Sequence, residues 1–171
     1  MRTIICGKAG CGKSNLVELL VEKGGKPSIS YTTRPPRKGE IDGKDYYFLS
    51  DENFEMYIDD GIFYEYIKFN GWGYGTSYDS FENDDIFIMT PIGISKLREE
   101  DRKESLIIFI DLSDDVLKER IGIRGDMKGD SLERRFLADK KDFENFTDYD
   151  IRITNEDFNQ MFYNKKLDKT N

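Results

Sequence analysis

Histidine is absent from all 171 residues, and cysteine occurs only at Cys6 and Cys11. Two neighbouring cysteines without histidine make neither a zinc site nor a disulfide framework. Free thiols in a reducing cytoplasm are the expectation. Cys11 reads as a small loop residue, with oxidation sensitivity as the alternative if nearby amide dipoles hold its thiolate. No apolar run approaches the roughly 18 residues that span a bilayer. Positive charge is short: Lys and Arg number 26 against 34 Asp and Glu, a formal net charge of −8. That balance repels long polyanions and anionic membranes, so neither nucleic acid nor membrane is an expected partner. Repeats and low-complexity segments are missing too. The chain enters an apolar run at position 3, so no signal peptide is expected. What these absences leave is one polar globular domain spanning 1–171, with 37% hydrophobic and 35% charged residues.

Within it, Gly7-Lys8-Ala9-Gly10-Cys11-Gly12-Lys13-Ser14 fits the phosphate-binding pattern G-x-x-x-x-G-K-[ST]. The apolar residues 3–6 before it read as a buried strand. Residues 15–22 after it carry apolar positions at helical spacing. Strand, glycine loop and helix aim backbone N–H groups and the positive end of a helix at one point. Glycine at Gly7, Gly10 and Gly12 lets the backbone approach a phosphate closely. Ala9, Cys11 and Asn15 complete the expected cradle. Lys13 is expected to reach the β- and γ-phosphates, and the Ser14 hydroxyl to help hold Mg²⁺. The chain is therefore expected to bind a nucleoside triphosphate.

Further along, residues 28–31, 46–49 and 62–67 read as strands. Ser50 or Asp51 is a candidate cap for a short helix stopped by Gly61. Asn70-Gly71 signals a hairpin. Residues 86–89 read as a buried strand ended by Pro91, with a helix expected over 94–100. Residues 106–110 are the strongest strand signal. Helices are expected over 114–121, from 131 to about 146, and over about 156–166, with a short strand at 151–153. The alternation predicts an α/β fold with a doubly wound, mostly parallel sheet. The section 34–76 breaks the alternation and reads as a small inserted mixed α/β subdomain, with 1–33 and 77–171 forming the core.

That inserted section carries a second constellation. The run Ser30-Tyr31-Thr32-Thr33-Arg34-Pro35-Pro36-Arg37-Lys38-Gly39-Glu40-Ile41-Asp42-Gly43-Lys44-Asp45-Tyr46 resembles the acceptor-nucleotide segment of guanylate kinases. So do Gly61-Ile62-Phe63-Tyr64-Glu65-Tyr66 and Gly71-Trp72-Gly73-Tyr74-Gly75-Thr76-Ser77. The resemblance runs in order from the first strand to the final helix. It implies transfer of the γ-phosphoryl of MgATP to GMP or dGMP. It implies that Glu65 reads the guanine edge, with Ser30 and Thr76 also on the base. Guanine presents N1–H and N2–H₂ side by side, and one carboxylate accepts both. The resemblance further places Arg34, Arg37, Tyr46 and Tyr74 on the monophosphate, a ring of fixed donors for a dianion. Arg124, Arg135 and the neighbouring Arg120 match a mobile lid over about 122–135 that closes on the transferred group. Asn155 matches a position near the adenine of ATP. Lys13, Arg34, Arg124 and Arg135 are the expected catalytic cations.

The chain departs from the family after residue 89. Where the family has an Asp-x-Asp-x-x-Gly segment, this chain has Thr90-Pro91-Ile92-Gly93. Asp111, after the strand 106–110, is a candidate replacement acid near Mg²⁺. Two other functions remain open on sequence: a non-catalytic guanylate-kinase-like binding module, and a kinase for another or modified purine monophosphate. Monomer and homodimer are both compatible with the sequence.

Overall fold

The computed structural model describes residues 1–124 and 132–155. The first strand, β1 (Arg2–Gly7), leads through the glycine loop into helix α1 (Lys13–Glu22). Two short strands, β2 (Tyr31–Thr32) and β3 (Tyr47–Phe48), precede α2 (Asp51–Asp59). The hairpin β4 (Phe63–Phe69) and β5 (Trp72–Ser77) is followed by α3 (Tyr78–Asn83) and β6 (Ile86–Ile88). Helices α4 (Pro91–Ile94) and α5 (Glu99–Lys103) lead to β7 (Ser105–Ile110). The chain then forms α6 (Asp114–Arg124), α7 (Leu132–Phe143) and β8 (Ile151–Ile153).

Two four-stranded sheets organise these elements. The larger has the order β6-β1-β7-β8 and is parallel throughout. Pro27 adds one parallel bridge to Ile86 beyond its edge. Its central strands are apolar on both faces, as a parallel sheet covered by helices requires. Ile5, Ile108 and Ile110 pack with Leu16 of α1 on one face. Ile4, Cys6, Ile107 and Phe109 pack with Phe81, Ile94 and Phe143 on the other. The period-2 alternation thus feeds two separate cores. The expectation of an α/β protein wound on both faces holds.

The smaller sheet has the order β3-β2-β5-β4, with β2 and β3 parallel and the other pairs antiparallel. Asn70 and Gly71 turn the β4–β5 hairpin with φ of 52° and 85°, the left-handed pair that a tight two-residue turn demands. Ser50 caps α2 through a bond from the Asn53 amide, as one of the two expected caps.

Two expectations fail locally. The single helix over 94–100 is replaced by α4 and α5, separated by a turn at 95–98. Pro91 does not merely end a strand. It opens α4, behind a Thr90 side chain that accepts from the Gly93 amide. The helix α3 was not foreseen. Its signal is Ser77, which caps the Ser80 amide, with Asp79 in the first turn. The expected helix over 156–166 lies outside the described residues. No helix among the described residues is long and apolar enough to cross a membrane.

Candidate active site

Strand order sets where a ligand can enter. From β1 the chain passes outward to β6, then returns across β1 to β7. A doubly wound sheet opens its crevice at such a reversal, beyond the carboxyl ends of the strands. The glycine loop leaves β1 at that end. Gly7 tolerates no side chain, because a Cβ there would stand 2.6 Å from both Cys11 Sγ and the Ile110 carbonyl. Helix α1 begins at Gly12 with no side-chain cap and no acid in its first turn. Helices α2, α3 and α4, by contrast, are capped by Ser50, Ser77 and Thr90. The amides at the start of α1 therefore point into the crevice without a side chain over them.

A cleft of about 740 Å³ spans the space between the two sheets. Gly7, Ala9, Gly10, Gly12, Lys13, Ser14 and Asn15 line one wall. Ser30, Arg34, Arg37, Tyr46, Glu65 and Tyr74 line the other. These are the residues that sequence reasoning assigned to donor and acceptor nucleotide. Lys13 Nζ donates to the Gly7 carbonyl at 2.6 Å and the Lys8 carbonyl at 3.2 Å. Lys8 Nζ bonds Asp114 at 2.9 Å and ties the loop to α6.

On the acceptor wall, geometry comes from β4 and β5. Pairing runs Phe63↔Ser77, then Glu65↔Thr76, with a register shift between Phe63 and Glu65. Tyr64 and Glu65, successive residues of the strand, take opposite sides. Tyr64 turns to the core, stacked 3.7 Å from Phe81, and its hydroxyl donates to Asp101 at 2.7 Å. Glu65 turns into the cleft beside Ile67. On β5, Trp72, Tyr74 and Gly75 line the cleft, while Gly73 lies against Phe54 of α2. A Cβ on Gly73 would meet the Phe54 ring at 2.8 Å, and one on Gly75 the Phe63 ring at 2.8 Å. The small residues admit the aromatic layer behind the sheet and so set which way Tyr74 points.

Glu65 is only 7% exposed. Thr76 Oγ1 donates to its Oε1 at 2.8 Å. Burial pushes the Glu65 carboxyl above its ordinary value, against the Thr76 bond and the charge of Lys96. Thr76 itself is buried behind Glu65, outside the cleft lining. Gly93 makes room for the carboxylate, since a Cβ there would lie 3.2 Å from Glu65 Oε2. The segment that lacks the family's acids thus forms part of the wall around Glu65.

The cationic side of this wall is built around Arg34, which is 2% exposed. Its Nη2 donates to Glu40 Oε1 at 2.9 Å and its Nη1 to the Pro35 carbonyl at 2.8 Å. Its guanidinium lies 5.2 Å from the Tyr46 ring centre. The Arg37 amide donates to Glu40 Oε2 at 2.7 Å. Burial acts to raise Glu40, but Arg34 and Arg37 outweigh it and hold its carboxyl below the usual value. Tyr74 is pushed up to about 12, first by burial and then by Tyr46, so it remains a neutral donor. Glu40 was not singled out by sequence reasoning. Its spacing from Arg37, three residues on, is the signal that was available.

Other expectations are revised. Cys11 is fully buried, and its side chain belongs to the core rather than the cleft. Burial raises its thiol, and the neighbouring Lys13 does not reverse this, so a reactive thiolate is not supported. Asp111 accepts from Arg152 Nε at 2.9 Å and does not line the cleft. It is a partner for Arg152, not a substitute acid at the metal site. Asn155 Oδ1 accepts from the Ser113 amide at 3.0 Å, and its Nδ2 donates to Ser113 Oγ at 3.1 Å. It clips the β7–α6 turn to β8 and is not part of the cleft lining. Arg120 does line the cleft. Arg124 ends α6 and Arg135 lies in α7, but their side chains, and residues 125–131 of the expected lid, lie outside the described residues.

Mg²⁺ dehydrates reluctantly and commonly keeps waters and substrate phosphates as ligands, with few protein groups. Ser14, at the start of α1 beside Lys13, fits that demand. Among the described residues no group of three or more acids, cysteines or histidines could hold a metal alone.

Fold and cleft together define a glycine-loop α/β protein with a cluster of arginines and tyrosines facing its loop, the architecture of a nucleotide phosphotransferase. A family model for guanylate kinase matches residues 1–168. The guanylate kinase of Idiomarina loihiensis is 34% identical over 166 residues, covering 91% of this chain and 79% of the relative. That of Histophilus somni is 36% identical over 168 residues, covering 92% and 81%. The crystal structure of guanylate kinase from Anaplasma phagocytophilum shares the fold, with a TM-score of 0.72, 24% identity and coverage of 98% of this chain and 82% of that one. The chain belongs to the guanylate kinase family.

Proposed function

We propose that this chain transfers the γ-phosphoryl group of ATP to GMP or dGMP through the two walls of the cleft. The observation that carries the reading is Glu65: a buried carboxylate, fixed by Thr76, on the wall opposite the glycine loop. Guanine satisfies it with two adjacent N–H donors. Adenine offers a lone pair at N1, which the carboxylate repels.

In this reading residues 34–76 form the acceptor side, and the core around α1 forms the donor side. Arg34, Arg37, Tyr46 and Tyr74 hold the acceptor phosphate so that one oxygen faces the donor in line. The loop amides and Lys13 hold the β- and γ-phosphates. Ser14 would hold Mg²⁺, which when bound neutralises charge across those phosphates. Arg120, Arg124 and Arg135 gather around the transferred group as a lid over 122–135 closes and excludes water. Free, buried Cys6 and Cys11 suit a reducing cytoplasm. An intact Lys13 and Ser14 favour turnover over a purely scaffolding role.

The test is a coupled ADP-release assay with ATP and each common nucleoside monophosphate. Turnover is expected with GMP or dGMP, with AMP, CMP and UMP near background. Equal turnover of AMP and GMP counts against the Glu65 reading. No turnover with any acceptor leaves the binding-module reading in its place.

A further inference from the structure

One contact in the cleft has no part in the transfer described above. The backbone amide of Ala9, in the glycine loop, donates to Asp139 Oδ2 at 2.5 Å. Asp139 lies in α7 and is 7% exposed. It lines the cleft together with Gly10, Lys13 and Ser14. A carboxylate on a glycine-loop amide occupies a donor built for phosphate oxygen. On the other side of the loop, Lys13 Nζ is turned onto the Gly7 and Lys8 carbonyls. The loop thus satisfies its own charges: its ammonium on carbonyls, its amide on a side-chain anion.

We propose that Asp139 is a tethered competitor of the donor phosphates, an affinity-setting residue that leaves the Ala9 amide when a nucleotide di- or triphosphate binds. The proposal rests on the donor-site reading above. Two features of α7 give it content. Arg135, an expected lid cation, stands four residues before Asp139, one helical turn away. Asp142 stands three residues after, and one of its carboxylate oxygens is buried with no hydrogen-bond partner among the described residues. The helix therefore brings the Asp139 carboxylate onto the phosphate loop one turn after Arg135. Remaining there beside a polyphosphate would set like charges against each other in a partly buried site.

Calorimetric titration with pyrophosphate and ADP tests this on the wild type, Asp139→Ala and Asp139→Asn. Asp139→Ala frees the amide and removes the charge. It is expected to bind both probes about tenfold more tightly, the scale of one charge-assisted bond no longer in competition. Asp139→Asn keeps an acceptor oxygen without charge and is expected to fall between. In ¹⁵N spectra the Ala9 amide should move upfield in Asp139→Ala. Unchanged or weaker binding of both probes by the two variants overturns the proposal. Lys13→Ala separates this from the underlying reading. If it abolishes pyrophosphate binding while the Asp139 variants match the wild type, only the Asp139 proposal falls. If it leaves pyrophosphate binding intact, the donor site itself has been misplaced and both fall.

Discussion

A carboxylate enclosed by protein must find donors or take up a proton. Glu65 has one donor in Thr76, and its other oxygen faces the space beside Gly93. In the proposed function guanine supplies what is missing. Glu65→Gln replaces one acceptor with a donor, which opposes one of the guanine N–H groups. It is expected to lower kcat/KM for GMP by about 10²-fold while leaving KM for ATP unchanged, as steady-state kinetics with varied GMP and ATP would report. The same group predicts a pH effect. Burial raises the Glu65 carboxyl, and only its ionised form accepts both guanine protons. KM for GMP should therefore rise on acidification, beginning at a higher pH than an ordinary glutamate would give. A KM for GMP that stays flat down to the ordinary glutamate range would contradict it. The type and order of these residues were legible in the chain. What was not legible is that Thr76 lies behind Glu65 as its hydrogen-bond donor and that Gly93 closes on its other oxygen, because those contacts join separate segments.

At the scale of the element, the cleft wall made by β5 depends on an aromatic layer outside the cleft lining. Gly73 and Gly75 leave room for the rings of Phe54 and Phe63, which lie 4.7 Å apart behind β5. Gly73→Ala or Gly75→Ala forces those rings to shift, at a cost of about 1–3 kcal/mol by urea unfolding. Because Tyr74 and Trp72 ride on the same strand, both substitutions should also raise KM for GMP more than KM for ATP. An equal effect on both would place the damage in the larger sheet instead. The alternation of glycine with aromatic and hydroxyl residues from 72 to 76 shows this arrangement in outline. The unforeseen α3 and the break between α4 and α5 show where local pattern runs out. Short helices lean on caps such as Ser77 and Thr90 and on tertiary packing, more than on apolar periodicity.

At the scale of the whole molecule, stability and ligand binding draw on the same acids. Asp142 is pushed up to about 6, chiefly by burial and then by Asp139, from an ordinary value of 3.8. Between those values the folded protein keeps a proton that the unfolded chain has lost. The unfolded chain then binds fewer protons, so stability falls as pH rises from about 4 to about 6, and the penalty is complete above that. Asp142→Asn removes the charge. It should raise Tm measurably at about pH 7.5 and leave it unchanged near pH 4, as calorimetry at both values would show. A rise of equal size at both would mean that packing, not ionisation, is responsible.

The chain by itself determined the phosphate loop, the parallel α/β core and the family, because each rests on local order: a glycine spacing, an apolar run, a motif with its flanks. It also determined which residues carry cations and phenols in the section 34–76. Only the tertiary structure decided that Cys11 belongs to the core, that Asp111 serves Arg152 and that Glu40 bridges the acceptor arginines. Only it placed Asp139 on the Ala9 amide, 130 positions away. Such pairings follow from burial and long-range packing, which bring together groups that spacing along one strand or helix leaves unrelated.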